Sequence, residues 1–181
     1  MNEVKMQQII VSGVGGQGVL FITKLLAETA LEQGYSVLIS ETHGMAQRGG
    51  NVISHLKIAD GGSGEGMSSP LVRPGKADVL LALHPDAVKA HGFYLKPDGT
   101  VISNVPDSEG KHSLNASRIA EGLGAPIAAN LVLLGFAVGS GALFCGTEQL
   151  EATLQRLGGK RLELSLKAFR AGAMEAGKSR G

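Results

Sequence analysis

The chain has 181 residues, 43% apolar and 18% charged, with 27 glycines, no tryptophan, one cysteine and a formal net charge of +1. This is the composition of a single folded domain, 1–181, long enough to bury a core and too apolar to stay disordered. Lysines and arginines are scattered, which argues against nucleic acid as a partner. No apolar run reaches membrane-spanning length, and a lone cysteine excludes an internal disulfide and any all-cysteine metal or iron–sulfur site. The residues Met1 to Lys5 lack the pattern of a signal peptide, so a cytoplasmic location is expected.

Ile9 to Val11 predicts a buried strand that breaks into the glycine-rich turn Gly13-Val14-Gly15-Gly16-Gln17-Gly18. From Gly18 to Gln33 an apolar stripe (Val19, Ile22, Leu25, Leu26, Thr29, Ala30) has helical spacing, with Lys24, Glu28 and Glu32 on what reads as the solvated side. Gly34 ends that helix, and Ser36 to Ser40 forms a second strand closing at Glu41. Strand, turn, helix and strand together read as a βαβ unit with a right-handed crossover. Asn51 to Ile58 predicts a third strand, and Asp60 to Gly66 a flexible loop running on to Pro70.

Ala77 to Leu83 is the next buried strand. His84-Pro85-Asp86 starts a helix with proline in its first turn, ending near Gly92. Pro97-Asp98-Gly99 has turn chemistry and Thr100 to Asn104 strand character. A short helix is expected over Arg118 to Leu123, and an all-buried one over Asn130 to Val138, which holds no charge. Thr147 reads as the N-cap of a helix to Leu157, and Gly158-Gly159 leads to a last amphipathic helix from Arg161 to Ala176. The alternation predicts an α/β fold: an open, mostly parallel, Rossmann-like sheet with helices on both faces.

Gly13, Gly15 and Gly18 fit G-x-G-x-x-G between a strand and a helix. The first glycine allows the turn, the second lets phosphates approach the backbone, and the third lets helix and strand pack. The helix start then offers unpaired N–H groups to an anion. The plain alternative is a tight turn that binds nothing. Glu41, just over twenty residues past Gly18, stands where a Rossmann fold places a ribose-binding carboxylate, so the residues alone suggest a stand-alone NAD(P)-binding protein.

The run after it, Thr42-His43-Gly44-Met45-Ala46-Gln47-Arg48-Gly49-Gly50-Asn51, is unusual for a dinucleotide site. Together with the Gly13–Gly18 turn it closely resembles the gamma domain of the 2-oxoacid:ferredoxin oxidoreductases, nearest to the small beta subunits of the indolepyruvate enzymes. Ser69-Pro70-Leu71, Ala77 to Ala82 and the apolar Asn130 to Gly135 segment also resemble that group, so the likeness covers almost the whole chain. The Asp60–Gly66 segment and His84 depart from it. The resemblance implies a complex that oxidatively decarboxylates a 2-oxoacid such as an aryl pyruvate or pyruvate, forms an acyl-CoA and reduces ferredoxin. It implies that Gly13, Val14, Gly15, Gly16, Gln17 and Gly18 hold coenzyme A. Thiamine diphosphate, magnesium and iron–sulfur clusters would then lie on larger partner subunits, because this chain has one cysteine and no Gly-Asp-Gly followed by paired asparagines.

Arg48 fits either a phosphate or partner carboxylate, or the bracing of a turn. His43 and His55 have no partner at metal-ligand spacing. His84 and His91 suit exposed or capping roles, and Cys145 reads as an inert core thiol.

Overall fold

A computed structural model describes residues 6–42, 50–61, 67–107 and 112–178. Six strands form one sheet in the order β2-β3-β1-β4-β5-β6: β1 Met6–Val14, β2 Tyr35–Thr42, β3 Asn51–Asp60, β4 Ala77–Ala82, β5 Leu95–Asn104 and β6 Ser113–Leu114. β1, β4, β5 and β6 pair in parallel, whereas β3 lies antiparallel between β1 and β2. Five strands therefore run one way, and the mostly parallel sheet stands as expected. The simple βαβ unit does not: β1 and β2 share a direction, but β3 separates them.

Alternation along the strands divides the core into two layers. Ile9, Val11, Leu56, Ile58, Val79, Leu81 and Ile102 face one layer. Over it lie α1 Val19–Glu32, α4 Ala129–Gly139 and α6 Leu162–Lys178, flanked by α3 Ala116–Gly122 and α5 Thr147–Leu157. Ile10, Ile53, Leu80 and Ala82 face the thinner layer, covered by α2 Pro85–His91, the 3-10 turn Gly92–Tyr94 and the segment around Val72. There Val72 N–H donates to His55 Nδ1 (3.2 Å) and Ser12 Oγ lies 2.6 Å from His91 Nδ1. His91 is thus half-buried and bonded to β1, while His84 caps α2 by accepting from Asp86 N–H (3.2 Å).

In the thick layer, α4 and α6 approach closely enough that a Cβ on Gly135 would lie 1.9 Å from Phe169 O, and one on Gly172 1.8 Å from Val132 O. α1 is tied to α5 rather than solvated along its acidic side. Arg156 pairs with Glu28 (2.9 Å) and with Glu32, and Thr153 Oγ1 donates to Glu32 Oε2 (2.8 Å). The Thr153 hydroxyl, then Arg156, holds the Glu32 carboxyl below its ordinary range.

Two local expectations change. Pro97–Gly99 is an irregularity inside β5, where pairing with β4 jumps from Ala77–Leu95 to Val79–Thr100. Gly146, not Thr147, caps α5, and its N–H donates to Gln149 Oε1 (2.9 Å). The 62–66 part of the glycine-rich segment, and residues 43–49, lie outside the described residues.

Candidate functional site

β1 continues into α1 over one sheet face, and its neighbour β4 continues into α2 over the other. Chain connections diverge between these two strands, and open α/β sheets bind ligands in the crevice such a divergence creates at the carboxyl edge. The glycine turn sits on that crevice.

Its six residues divide their work. A Cβ on Gly13 would meet Gln17 Oε1 at 2.7 Å, and one on Gly18 would meet Asn130 Nδ2 at 2.5 Å, so both glycines serve internal packing. Gly16 and Gly18 adopt φ of 91° and 78°, conformations that favour glycine. Gln17 bridges the crevice: its Oε1 accepts from Val14 N–H (2.9 Å) and its Nε2 donates to Leu83 O (3.2 Å). Asn130, at the start of α4, donates to Gln17 O (3.0 Å) and pins the turn from above. Gly15 N–H donates to Gly50 O (3.0 Å), which brings the two glycine-rich motifs of the sequence into contact.

Gly15 and Gly16 are exposed. Among the described residues the N–H groups of Gly16 and Gly18 have no acceptor, and α1 has no side-chain cap. The unpaired N–H groups of its first turn, with the positive end of the helix dipole, suit an anion.

Cavities open on both sides of the turn. One of about 260 Å³ is mainly apolar, with Phe21, Ile127, Leu131 and Leu164 beside Gly16–Gly18, and Arg161 and Ser165 among its polar groups. Another of about 170 Å³ lies between Gln17, Leu83, Asn104, Ser117 and Asn130. Asn104 is itself fully engaged there, accepting from Ala116 N–H (2.9 Å) and donating to Ser117 Oγ (2.9 Å). Asn104, Ser117, Asn130 and Arg161 were not singled out from the sequence. They come from β5 and three separate helical regions, and no local spacing links them to the turn.

Glu41 is not brought to this site. It lies near the end of β2, and with β3 interposed it stands two strand spacings, roughly 9–10 Å, from β1. A ribose-binding carboxylate belongs on the strand next to the glycine turn. Arg48 and His43 fall outside the described residues. Cys145 is buried, and burial pushes its thiol up to about 12. No cluster of side chains fit to hold a metal occurs among the described residues, nor a helix long and apolar enough to cross a membrane.

The fold is an α/β sheet with a glycine-rich helix-start turn at the point where its connections diverge. Residues 8–175 match the pyruvate ferredoxin/flavodoxin oxidoreductase family, and the chain belongs to it. It is 33% identical to indolepyruvate oxidoreductase subunit IorB of Archaeoglobus fulgidus, over 93% of this chain and 94% of that one. It is 30% identical to ketoisovalerate oxidoreductase subunit VorA of Methanothermobacter thermautotrophicus, over 92% of this chain but only 35% of that one. The crystal structure of a keto/oxoacid ferredoxin oxidoreductase gamma subunit from Geobacter sulfurreducens superposes with a TM-score of 0.74 at 28% identity. That match covers 95% of this chain and 99% of the other.

Proposed function

We propose that the chain is a gamma-type subunit, inactive alone, of a cytoplasmic 2-oxoacid:ferredoxin oxidoreductase, and that its glycine turn holds the phosphates of coenzyme A. The substrate is an aryl pyruvate such as indolepyruvate, or pyruvate, and the product an acyl-CoA with ferredoxin reduced. Family membership and the likeness to an indolepyruvate oxidoreductase subunit support the reaction class. The observation that carries the ligand assignment is the exposed Gly15–Gly16 backbone and uncapped α1 start, set between two cavities at the sheet's divergence point.

Backbone N–H groups at a helix start favour any pyrophosphate, so a dinucleotide must be weighed against coenzyme A. The displacement of Glu41 by β3 speaks against NAD. The free N–H groups of Gly16 and Gly18 would donate to the phosphates and Gly15, whose own N–H is held by Gly50 O, would let them approach, with Gln17 and Asn130 fixing the turn's shape and Arg48 adding positive charge. Thiolate ligation of a cluster is not a property of the one buried, high-pKa cysteine. On this reading thiamine diphosphate, magnesium and the clusters belong to the larger partner subunits. When bound there they supply the decarboxylation and electron-transfer chemistry.

The test is calorimetric titration of the assembled complex with coenzyme A and with NAD, wild type beside Gly15→Val and Glu41→Ala. Coenzyme A binding lost in Gly15→Val and kept in Glu41→Ala is expected. Tight NAD binding lost in both, without coenzyme A binding, overturns the reading. Reduction of a viologen dye by the isolated chain, given a 2-oxoacid and thiamine diphosphate, overturns its dependence on partners.

A further inference from the structure

The apolar cavity beside the glycine turn holds features that a pyrophosphate on the turn does not use. Its walls come from three regions: Phe21 on α1, Ile127 and Leu131 around the start of α4, and Leu164 on the first turn of α6. Phe21 is 43% and Ile127 67% exposed, so two large apolar side chains face solvent next to the turn. Arg161 lies just before α6, and Ser165 N–H donates to Arg161 O (2.9 Å), which carries the helical geometry through it. Arg161, Leu164 and Ser165 thus share one side of that first turn, the side that lines the cavity. Arg161 is exposed, has no ion pair among the described residues, and is the one charged side chain among those lining the cavity.

The other side of the crevice differs. There the cavity of about 170 Å³ adjoins a groove of about 610 Å³, and the two share Gln17, Leu83, Asn104 and Ser117. Arg118 lines that groove too, but in company with Glu121. A carboxylate in the same groove offsets the pull of Arg118 on an anion.

We propose that Arg161 reads the ribose phosphate of coenzyme A, with the adenine seated in the apolar cavity against Phe21 and Ile127. The inference rests on the reading of the turn as a coenzyme A site. At about 260 Å³ the cavity falls below the range of about 300–1,000 Å³ that encloses a drug-sized ligand, so it takes one group of the cofactor and not the whole. A flat aromatic base is the part of coenzyme A that packs best against an aromatic ring and aliphatic side chains. Gly16 and Gly18 line the same cavity, which keeps a base there within reach of a pyrophosphate on the turn. The adenosine ribose of coenzyme A carries a phosphomonoester, with a charge of about −1.5 to −2 at pH 7. A guanidinium binds such a group through paired N–H donors. NAD has no phosphate on that ribose and gains nothing from Arg161.

The assembled complex is titrated calorimetrically with coenzyme A and with 3′-dephospho-coenzyme A, as wild type, Arg161→Gln, Arg118→Gln and Phe21→Ser. Wild type should bind coenzyme A at least tenfold tighter than the dephospho form. Arg161→Gln is expected to remove that preference by weakening coenzyme A at least tenfold, with the dephospho form within twofold of wild type. Because Arg161 is exposed and forms no ion pair among the described residues, the thermal midpoint of this variant should match wild type. Phe21→Ser should weaken both ligands severalfold and alike, and Arg118→Gln should change neither by more than twofold. A preference that is absent from wild type, kept in Arg161→Gln or lost in Arg118→Gln overturns the inference and leaves the turn as a coenzyme A site. Wild-type affinities in Phe21→Ser overturn the placement of the base. Failure of coenzyme A to bind wild type at all overturns both the inference and the reading beneath it.

Discussion

Gly172→Ala is the most demanding test of the packing that sets the site. A methyl group at this position of α6 meets Val132 O at 1.8 Å and Phe136 N at 2.9 Å, both backbone atoms of α4. No side-chain rotation relieves that contact, so the helices must separate by about 1–2 Å before it becomes an ordinary one. Overpacking costs about 1–3 kcal/mol and occasionally more, and a rigid backbone obstacle belongs at the top of that range. Alanine's better helix propensity returns about 1 kcal/mol. The net loss is about 2 kcal/mol or more, a fall in thermal midpoint of roughly 4–8 °C for a chain of this size. Gly177→Ala on the same helix meets nothing within 4 Å and carries only the propensity gain. Differential scanning calorimetry of the two variants isolates the contact. A Gly172→Ala protein as stable as Gly177→Ala would refute the close helix crossing, and with it the argument that α4 is held rigidly enough to position Asn130.

Gln17→Ala removes two bonds, one of them across the crevice, and leaves Val14 N–H unpaired, so it should cost about 1–3 kcal/mol; faster hydrogen exchange at Val14 is the readout, and unchanged exchange counts against the bridge. Burial holds the His55 and His91 imidazoles below their ordinary 6.5, with Lys57 charge also acting on His55. The unfolded chain therefore binds more protons as pH falls past about 6.5. Stability from these histidines is complete above that pH and is lost as pH drops through the lower folded values. Thermal midpoints from pH 8 to 5 should show the decline, and a His55→Gln, His91→Gln variant with the same slope would contradict it. With its thiol near 12, Cys145 should resist a disulfide reagent at pH 8 until denaturant is added; immediate labelling of the folded chain would show the burial to be wrong.

Most strands and helices were legible in the sequence because their signals are local: a periodicity, a cap, a turn; the two-residue β6 was not. The glycine turn was legible for the same reason, although Gly18, read as a helix–strand contact, instead lies against Asn130 of α4. What the sequence did not carry were relations between distant segments. The order of strands depends on β3 pairing with both β1 and β2, and nothing within β1–α1–β2 announces an inserted antiparallel strand. That one insertion moves Glu41 from a ribose-binding position to an edge. Glu28 and Glu32 read as solvent-facing because their partner, Arg156, lies more than a hundred residues away. His91 looked like a helix-surface residue because Ser12, its partner, lies on β1, far away in sequence. Gly135 and Gly172 carry no local motif at all, and only the crossing of two helices explains them.

α1 joins the site to the rest of the molecule. Its first turn carries the glycine loop, its inner face packs on the sheet, and its acidic side is fastened to α5 through Arg156. At its start, Asn130 ties the loop to α4, and α4 is locked against α6 by facing glycines. The helix is therefore fixed at its N-terminal end and along one flank. A ligand at the turn would press on the helix from that end. Because packed helices shift as units rather than bending freely, substitutions that loosen the α4–α6 lock should move the turn and weaken ligand binding, even though neither Gly135 nor Gly172 lies on the exposed surface.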